Sequence, residues 1–205
     1  LIVSVGNHSY VALAKGPLVP DHLVLLPIEH VNSSVSLTAE QRAEMKIFEE
    51  ALRKCFMKDG NEMLLWERHL VTKGVSHMHY QILPVAPRFI EQALENVMGA
   101  GKRNNLDFQK INDESEVKSM GDSPFIRIRF GNDQPSYLAR VDPHAEMKFL
   151  FPLIRRSIAD AIGQPGRANW KRCLTDKKDE TRLADAVKAK FEKFEPAIDD
   201  DDDDE

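Results

Sequence analysis

The sequence predicts an α+β fold: an antiparallel sheet with one long helix, followed by a second, smaller α+β unit. Short apolar runs bounded by turn residues occur on both sides of a long helical pattern, at residues 10–14, 22–27 and 63–67. A further hairpin pattern and two helical patterns follow residue 124. Strands that occur in groups, without a helix after every strand, are typical of antiparallel sheets.

The first unit, residues 1–98, is predicted from its turn and capping residues. Residues 15–21 are rich in Gly and Pro and separate two antiparallel strands. Thr38 and Gln41 form a capping box, so a helix is predicted to begin there and to end near Gly60. The apolar residues of this helix repeat at spacings of three and four, which places them on one stripe: Met45, Phe48, Leu52 and Cys55. Two further strands complete the unit, at residues 63–67 and 77–85.

The rest of the chain is predicted to contain a linker, a second unit and an acidic tail, at residues 99–123, 124–196 and 197–205. The linker is basic and rich in Gly at its start and polar at its end. The second unit begins with a hairpin whose first strand, 125–130, alternates apolar and arginine side chains. Two helices follow, the first between Pro152 and Gly163. We expect the two units to pack together and the tail to stay solvated, because like charges repel.

Composition excludes several classes of protein. The chain has 28 Lys and Arg against 33 Asp and Glu, but seven of the acids form the tail, and the remaining body carries a net charge of +2. The longest uncharged apolar run, residues 23–28, is far shorter than the ~18 residues that cross a bilayer, so no membrane protein is predicted. Cys55 and Cys173 are too few for a disulfide scaffold, and they suit a reducing compartment.

A row of polar side chains in the fourth strand is the candidate chemical site. His77, His79 and Gln81 alternate with three residues that favour the core: Met78, Tyr80 and Ile82. Since side chains alternate along a strand, the two imidazoles and the amide are predicted to share one face. Such a row could hold phosphate, and a neutral imidazole could attack phosphorus. The alternative is a chance pair of histidines on a solvated strand.

The surroundings of this row resemble the histidine-triad (HIT) superfamily. Residues 18–30 contain a Pro-x-His opening at His22, an apolar strand, a Pro and then His30, and the capped helix and the His-x-His-x-Gln strand follow in the same order. The resemblance implies a HIT-like fold for the first unit. It also implies that His79 is the nucleophile of a covalent nucleotidyl intermediate, with His77 as the first histidine of the motif and His22 as a supporting one.

Gln81 stands where the hydrolase branch of the superfamily has its third histidine. In this respect the sequence resembles the branch that includes galactose-1-phosphate uridylyltransferase. Since an amide cannot exchange a proton near neutral pH as an imidazole can, the substitution argues against simple nucleotide hydrolysis.

The second half resembles the C-terminal region of the CwfJ-like splicing factors. The matching residues are Phe151-Pro152, Arg155, the run 169–173 (Asn-Trp-Lys-Arg-Cys) and a helix that ends at 190–194. This resemblance implies a nuclear, spliceosome-associated protein that acts late in splicing, on intron-lariat RNA and its debranching or turnover. The implied partners are intron-lariat or branched RNA, proteins of the spliceosome and the debranching enzyme.

A basic excess in the second unit predicts an RNA-binding surface. Residues 152–193 contain 11 Lys and Arg against 6 Asp and Glu. The candidate phosphate-binding residues are Arg127, Arg129, Arg155, Arg156, Lys171 and Arg172. The alternative is an ordinary solvated face. Trp170 is interpreted as core together with Phe191 and Phe194, and base stacking is the alternative interpretation.

His30 and His77 resemble half of a zinc site. In many HIT-like proteins a Cys-x-x-Cys ahead of the first strand binds zinc with histidines at these positions. Such a Cys pair would lie before Leu1, and two histidines alone make a poor structural site. We therefore expect no cofactor in this chain and a possible zinc site in the full-length protein.

The sequence is compatible with two functional classes. In the first, the protein is an RNA-binding accessory factor of late splicing and lariat turnover, with a HIT-like phosphate or nucleotide pocket. In the second, it is a nucleotidyl hydrolase, nucleotidyl transferase or RNA-processing enzyme that uses His79. Whether the protein is an enzyme is therefore left open.

Overall fold

The computed structural model describes residues 1–70, 74, 76–132 and 135–197. Within these residues it contains one antiparallel sheet of eight strands, in the spatial order β1-β2-β3-β5-β4-β7-β8-β6. The strands are β1 Ile2–Val5, β2 Ser9–Leu13, β3 Leu23–Pro27, β4 Glu62–His69, β5 Tyr80–Val85, β6 Gln109–Ile111, β7 Phe125–Phe130 and β8 Ser136–Arg140. The prediction of an α+β fold with an antiparallel sheet is confirmed.

Helices cover both faces of the sheet. They are α1 Ala39–Lys58, α2 Ile90–Arg103, α3 Glu114–Lys118, α4 Met147–Leu150, α5 Leu153–Ala161 and α6 Lys177–Phe191. The predicted capping box begins α1, since the Thr38 hydroxyl accepts from the Gln41 amide at 3.2 Å and the Gln41 side chain accepts from the Thr38 amide at 3.0 Å. Among the described residues, no helix combines the length and the apolar composition that a membrane crossing needs.

Each face of the sheet has its own core. On one face, α1 and α6 bury residues such as Phe48, Leu65 and Phe191. On the other face, α2 and α5 cover a core that includes Trp66 and Ile154. Side chains alternate along β4, so successive residues of one strand supply both cores.

The sheet runs without interruption through both predicted units. β4 pairs with β5 on one side and with β7 on the other, and Trp66 lies opposite Gln81 in one register and opposite Ile128 in the other. The last helix, α6, returns to pack on β1 and α1. The two units therefore share one sheet and pack together.

Residues 99–123 were expected to form a linker, but much of this segment is regular secondary structure. α2 continues to Arg103, β6 joins the sheet beside β8, and α3 follows. This segment is mostly polar, but its few apolar residues pack into the core and hold it in place. Leu106, Ile111 and Val117 are all buried. Of the predicted acidic tail, residues 198–205 lie outside the described residues.

Candidate functional site

The predicted alternation is present from Met78 to Ile82. Met78, Tyr80 and Ile82 are buried in the core beneath α1, while His79 and Gln81 are half-buried on the other side. Strand β5 itself begins only at Tyr80, later than predicted. Before it, the Met78 amide donates to the Val31 carbonyl at 2.7 Å instead of joining a strand ladder.

The tautomer of His79 follows from one hydrogen bond. Its Nδ1 lies 3.0 Å from the His77 carbonyl oxygen, which can only accept, so Nδ1 carries the proton. The lone pair of the neutral ring is then on Nε2. Burial lowers the pKa of His79, and the charge of Arg68 lowers it further against the raising effect of that hydrogen bond. The ring is therefore neutral at pH 7 and suited to accept a proton or to attack an electrophile.

His22 is a second neutral imidazole, fixed on the neighbouring strand end. The ring is 1% exposed, and its Nδ1 accepts from the Leu18 amide at 3.1 Å, so its proton is on Nε2. That buried Nε2 has no hydrogen-bond partner of good geometry among the described residues, although the Gln81 side chain lies close enough to raise the pKa. Burial and the charge of Arg155 outweigh this effect and lower the pKa of His22 to about 3.

Arginine charges set the electrostatic character of the site formed by His22, His79 and Gln81, which we call the His79 pocket. Arg68 lies two residues after Trp66 on β4, on the same face as Gln81. It donates to the Phe151 carbonyl, and its guanidinium carbon lies 5.8 Å from the Phe151 ring centroid. Burial and the charge of Arg155 lower the pKa of Arg68, which remains a cation. A phosphate placed beside His79 would thus enter a positive field.

A groove of about 640 Å³ lies on the exposed side of Arg68. Its charged lining consists of three arginines, Arg68, Arg156 and Arg172, and its two exposed aromatic side chains are Phe151 and Trp170. We call this the arginine groove. Within the described part of the chain, no carboxylate lines it and none forms an ion pair with any of these arginines. Unpaired cations at the wall of a groove favour an anionic ligand.

The second unit holds the loop that precedes His22. The Arg155 guanidinium donates to the Gly16 carbonyl at 2.9 Å, and Arg167 donates to the carbonyls of Pro17 and Leu18, each at 2.7 Å. Of the predicted RNA-binding residues, Arg155 is therefore occupied with protein contacts. Arg156, Lys171 and Arg172 are exposed, as an RNA-binding surface would require.

Arg127 and Arg129 are not brought to the arginine groove. They lie opposite Glu67 and Leu65 in the register with β4, on the α1 side of the sheet. Arg127 is paired with Glu114, and Arg129 with Glu49 at 2.6 Å. The sequence predicted correctly that the two arginines share a face, but that face lies beneath α1, so they do not contribute to one surface with Arg156 and Arg172.

His30 and His77 lie together without forming a metal site. Their ring centroids are 4.9 Å apart in an edge-on arrangement, but the Nε2 atom of His77 lies 2.9 Å from the Pro27 carbonyl oxygen. Among the described residues, no group of three or more His, Cys, Asp or Glu side chains could hold a metal. The residues present thus do not fit a zinc centre, which needs four ligands.

The structure differs from the sequence expectations at two residues of the arginine groove. Arg68 received no role, although the alternation of β4 places it on the face of Trp66 and Gln81. Trp170 was interpreted as core with Phe191 and Phe194, with base stacking as the alternative. It is 40% exposed, whereas Phe191, at the end of α6, is buried in the core on the opposite face of the sheet. The physical reason is that residues 170–173 form a short 3-10 turn, in which only Cys173 is buried.

Comparisons with known proteins agree with the sequence resemblance. Residues 1–98 match the family described as "Protein similar to CwfJ C-terminal". Zinc finger CCCH domain-containing protein 64 of Arabidopsis thaliana is 32% identical over 96% of this chain and 33% of its own length. CWF19-like protein 1 of Homo sapiens is 26% identical over 98% of this chain and 37% of its own length. The chain spans about a third of the length of these relatives.

A solved structure also aligns with most of the chain, at low structural similarity. It is a hypothetical histidine triad nucleotide-binding protein from Sulfolobus tokodaii, with 11% identity and a TM-score of 0.40, covering 94% of this chain and 83% of that chain.

Proposed function

Because the chain belongs to the CwfJ C-terminal family, we propose that it is a spliceosome-associated, RNA-binding accessory factor of late splicing. Its RNA is an intron lariat or another branched RNA, and it works in the nucleus beside the debranching enzyme and proteins of the spliceosome. The pocket formed by His22, His79 and Gln81 holds one phosphate of that RNA, and the arginine groove binds the adjoining backbone.

The buried Nε2 of His22, which lacks a hydrogen-bond partner of good geometry among the described residues, is the observation that supports this proposal most. A buried N–H donor without a partner is unfavourable by about 1–3 kcal/mol, and such groups are rare in folded proteins. Here the donor lies beside Gln81 and near His79 and Arg68. The Nε2–H of His22 and the side-chain amide of Gln81 offer donors, and Arg68 offers positive charge, to a phosphate oxygen, which accepts but cannot donate.

Turnover is the second candidate, and the geometry of His79 favours it. The neutral Nε2 could attack phosphorus, forming a P–N bond while the leaving group departs with the electrons of the broken bond. The leaving group must then be protonated. Gln81 cannot supply that proton, so only a substrate with a good leaving group would react readily. This requirement places binding ahead of catalysis.

We expect the wild-type chain to prefer a branched RNA over a linear RNA of the same length and sequence by about tenfold. A phosphate at the branch favours the protonated form of His79, whose Nε2–H can then donate to it, and after the cost of that protonation the hydrogen bond contributes about 1.4 kcal/mol. His79→Ala should remove the preference and leave the affinity for linear RNA almost unchanged. Fluorescence anisotropy with the two labelled RNAs measures both values.

The matched control is His144→Ala, because His144 is exposed and lies outside the pocket. It should retain the preference. Equal binding of the two RNAs by the wild type would contradict a pocket that reads the branch. Turnover, the second candidate function, is tested by chromatography of the same mixtures and of mixtures with a panel of nucleotides. Products formed by the wild type and not by His79→Ala would favour an enzyme.

A further inference from the structure

Two exposed aromatic rings stand within the arginine groove. Phe151 and Trp170 are 39% and 40% exposed, which is unusual for such large apolar side chains. They come from different parts of the second unit: Phe151 follows α4, and Trp170 begins the 3-10 turn 170–173.

Each ring is accompanied by cations. The Nζ atoms of Lys15 and Lys171 lie 5.9 and 6.0 Å from the centre of the Trp170 ring, and the Arg68 guanidinium lies 5.8 Å from that of Phe151. Aromatic faces interleaved with unpaired cations are the combination that binds single-stranded nucleic acid, since bases stack on the rings and phosphates contact the cations.

The backbone of Trp170 is held in place, so its ring is presented by a fixed support. A Cβ at Gly16 would lie 2.3 Å from the Trp170 carbonyl oxygen, which shows how closely the loop before His22 contacts this turn. The Asn169 side chain accepts from the Lys171 amide at 3.1 Å, and Cys173 anchors the end of the turn in the interior. A fixed ring reduces the entropy lost when a base stacks on it.

We propose that Phe151 and Trp170 form a base-stacking subsite, so that the ligand is a single-stranded RNA with at least one unpaired nucleotide next to the phosphate held beside His79. The inference rests on the proposed function and narrows its substrate class. A mononucleotide would fill the pocket but leave the subsite unused, and a continuous duplex would keep its bases away from both rings.

The subsite can be tested by comparing the affinity for a labelled RNA hexamer with the affinity for hexamers in which one nucleotide at a time is abasic. All these hexamers carry the same charge. We expect one or two abasic positions to lower the affinity of the wild type about 5- to 150-fold, as the loss of one stacked base does. Trp170→Ala should lower the affinity for the intact hexamer by a similar factor and should no longer distinguish it from the abasic ones.

Phe149→Ala is the matched control. Phe149 is a 52% exposed ring with the Nζ of Lys148 at 4.8 Å, but it lies outside the arginine groove. The Phe149→Ala variant should bind the intact hexamer as tightly as the wild type does and should distinguish it equally well from the abasic ones. Phe151→Ala supplies a second variant if Trp170→Ala melts at a lower temperature.

The possible failures are distinguishable. If the wild type binds the intact and abasic hexamers equally well, the subsite is wrong while the proposed RNA-binding function stands. If the wild type binds no hexamer, both fail. If hexaglutamate displaces the RNA at equal concentration, the groove recognises an acidic peptide and the stacking inference is overturned.

Discussion

Gly16→Ala should lower the free energy of unfolding by about 3 kcal/mol, from backbone strain and overpacking together. Gly16 has φ +60, a conformation that L side chains rarely adopt, and the added Cβ would lie 2.3 Å from the Trp170 carbonyl oxygen. Neither atom can move alone, because the Gly16 carbonyl accepts from Arg155 and the turn that carries Trp170 ends in buried Cys173. Urea denaturation at pH 7 measures the change.

Gly163→Ala separates strain from the clash. Gly163 has φ +70, but no atom lies within 4 Å of an added Cβ. It should lower the free energy of unfolding by only about 1 kcal/mol. If the two variants lost equal stability, the close contact between the loop before His22 and the Trp170 turn would be wrong, and with it the support for the groove.

His22 should make the protein lose stability as the pH falls below neutrality. Its pKa is about 3 in the folded protein and 6.5 in the unfolded chain, so the unfolded chain takes up the proton first. The stabilisation is complete above pH 6.5 and is lost progressively as the pH falls toward 3. Between pH 7 and pH 5 this one group should lower the free energy of unfolding by about 2 kcal/mol.

His22→Asn isolates the contribution of His22. The Asn side-chain oxygen can replace Nδ1 as the acceptor for the Leu18 amide, but it does not titrate. Burial raises the pKa of Glu67, which acts in the opposite direction, and this contribution is common to both proteins. Urea denaturation of the two proteins at pH 7 and pH 5 should therefore differ by about 2 kcal/mol in the pH-dependent loss. Identical losses would mean that His22 is hydrated or already protonated.

Sequence reasoning predicted those parts of the fold that local chemistry determines. The capping box at Thr38 defines the start of α1, and the alternation of Met78 and Tyr80 with His79 defines which face carries the pocket. Each feature depends only on residues within one helical turn or one strand, so it can be predicted from a single sequence.

Long-range pairing could not be predicted in the same way. Arg127 and Arg129 read as an exposed cationic face, but their partners Glu114 and Glu49 come from distant segments. Trp170 looks like a core residue by composition, and only the position of the turn beside Gly16 shows that its ring faces outward. The groove exists because the second unit packs on the first, with Phe151 at Arg68 of β4 and the Trp170 turn at Gly16, and no local pattern specifies these contacts.

Whether both units form one RNA-binding site can be tested by the salt dependence of single-stranded RNA binding in two double variants. Arg156→Gln with Arg172→Gln removes two charges from the arginine groove, whereas Lys178→Gln with Lys188→Gln removes two exposed charges on α6. Each lost phosphate contact should flatten the slope of log K against log salt by about 0.7, so the groove variant should be flatter by about 1.4 and the α6 variant unchanged. Equal slopes in the wild type and the groove variant, or a flattened slope in the α6 variant, would contradict an RNA site shared by the His79 pocket and the second unit.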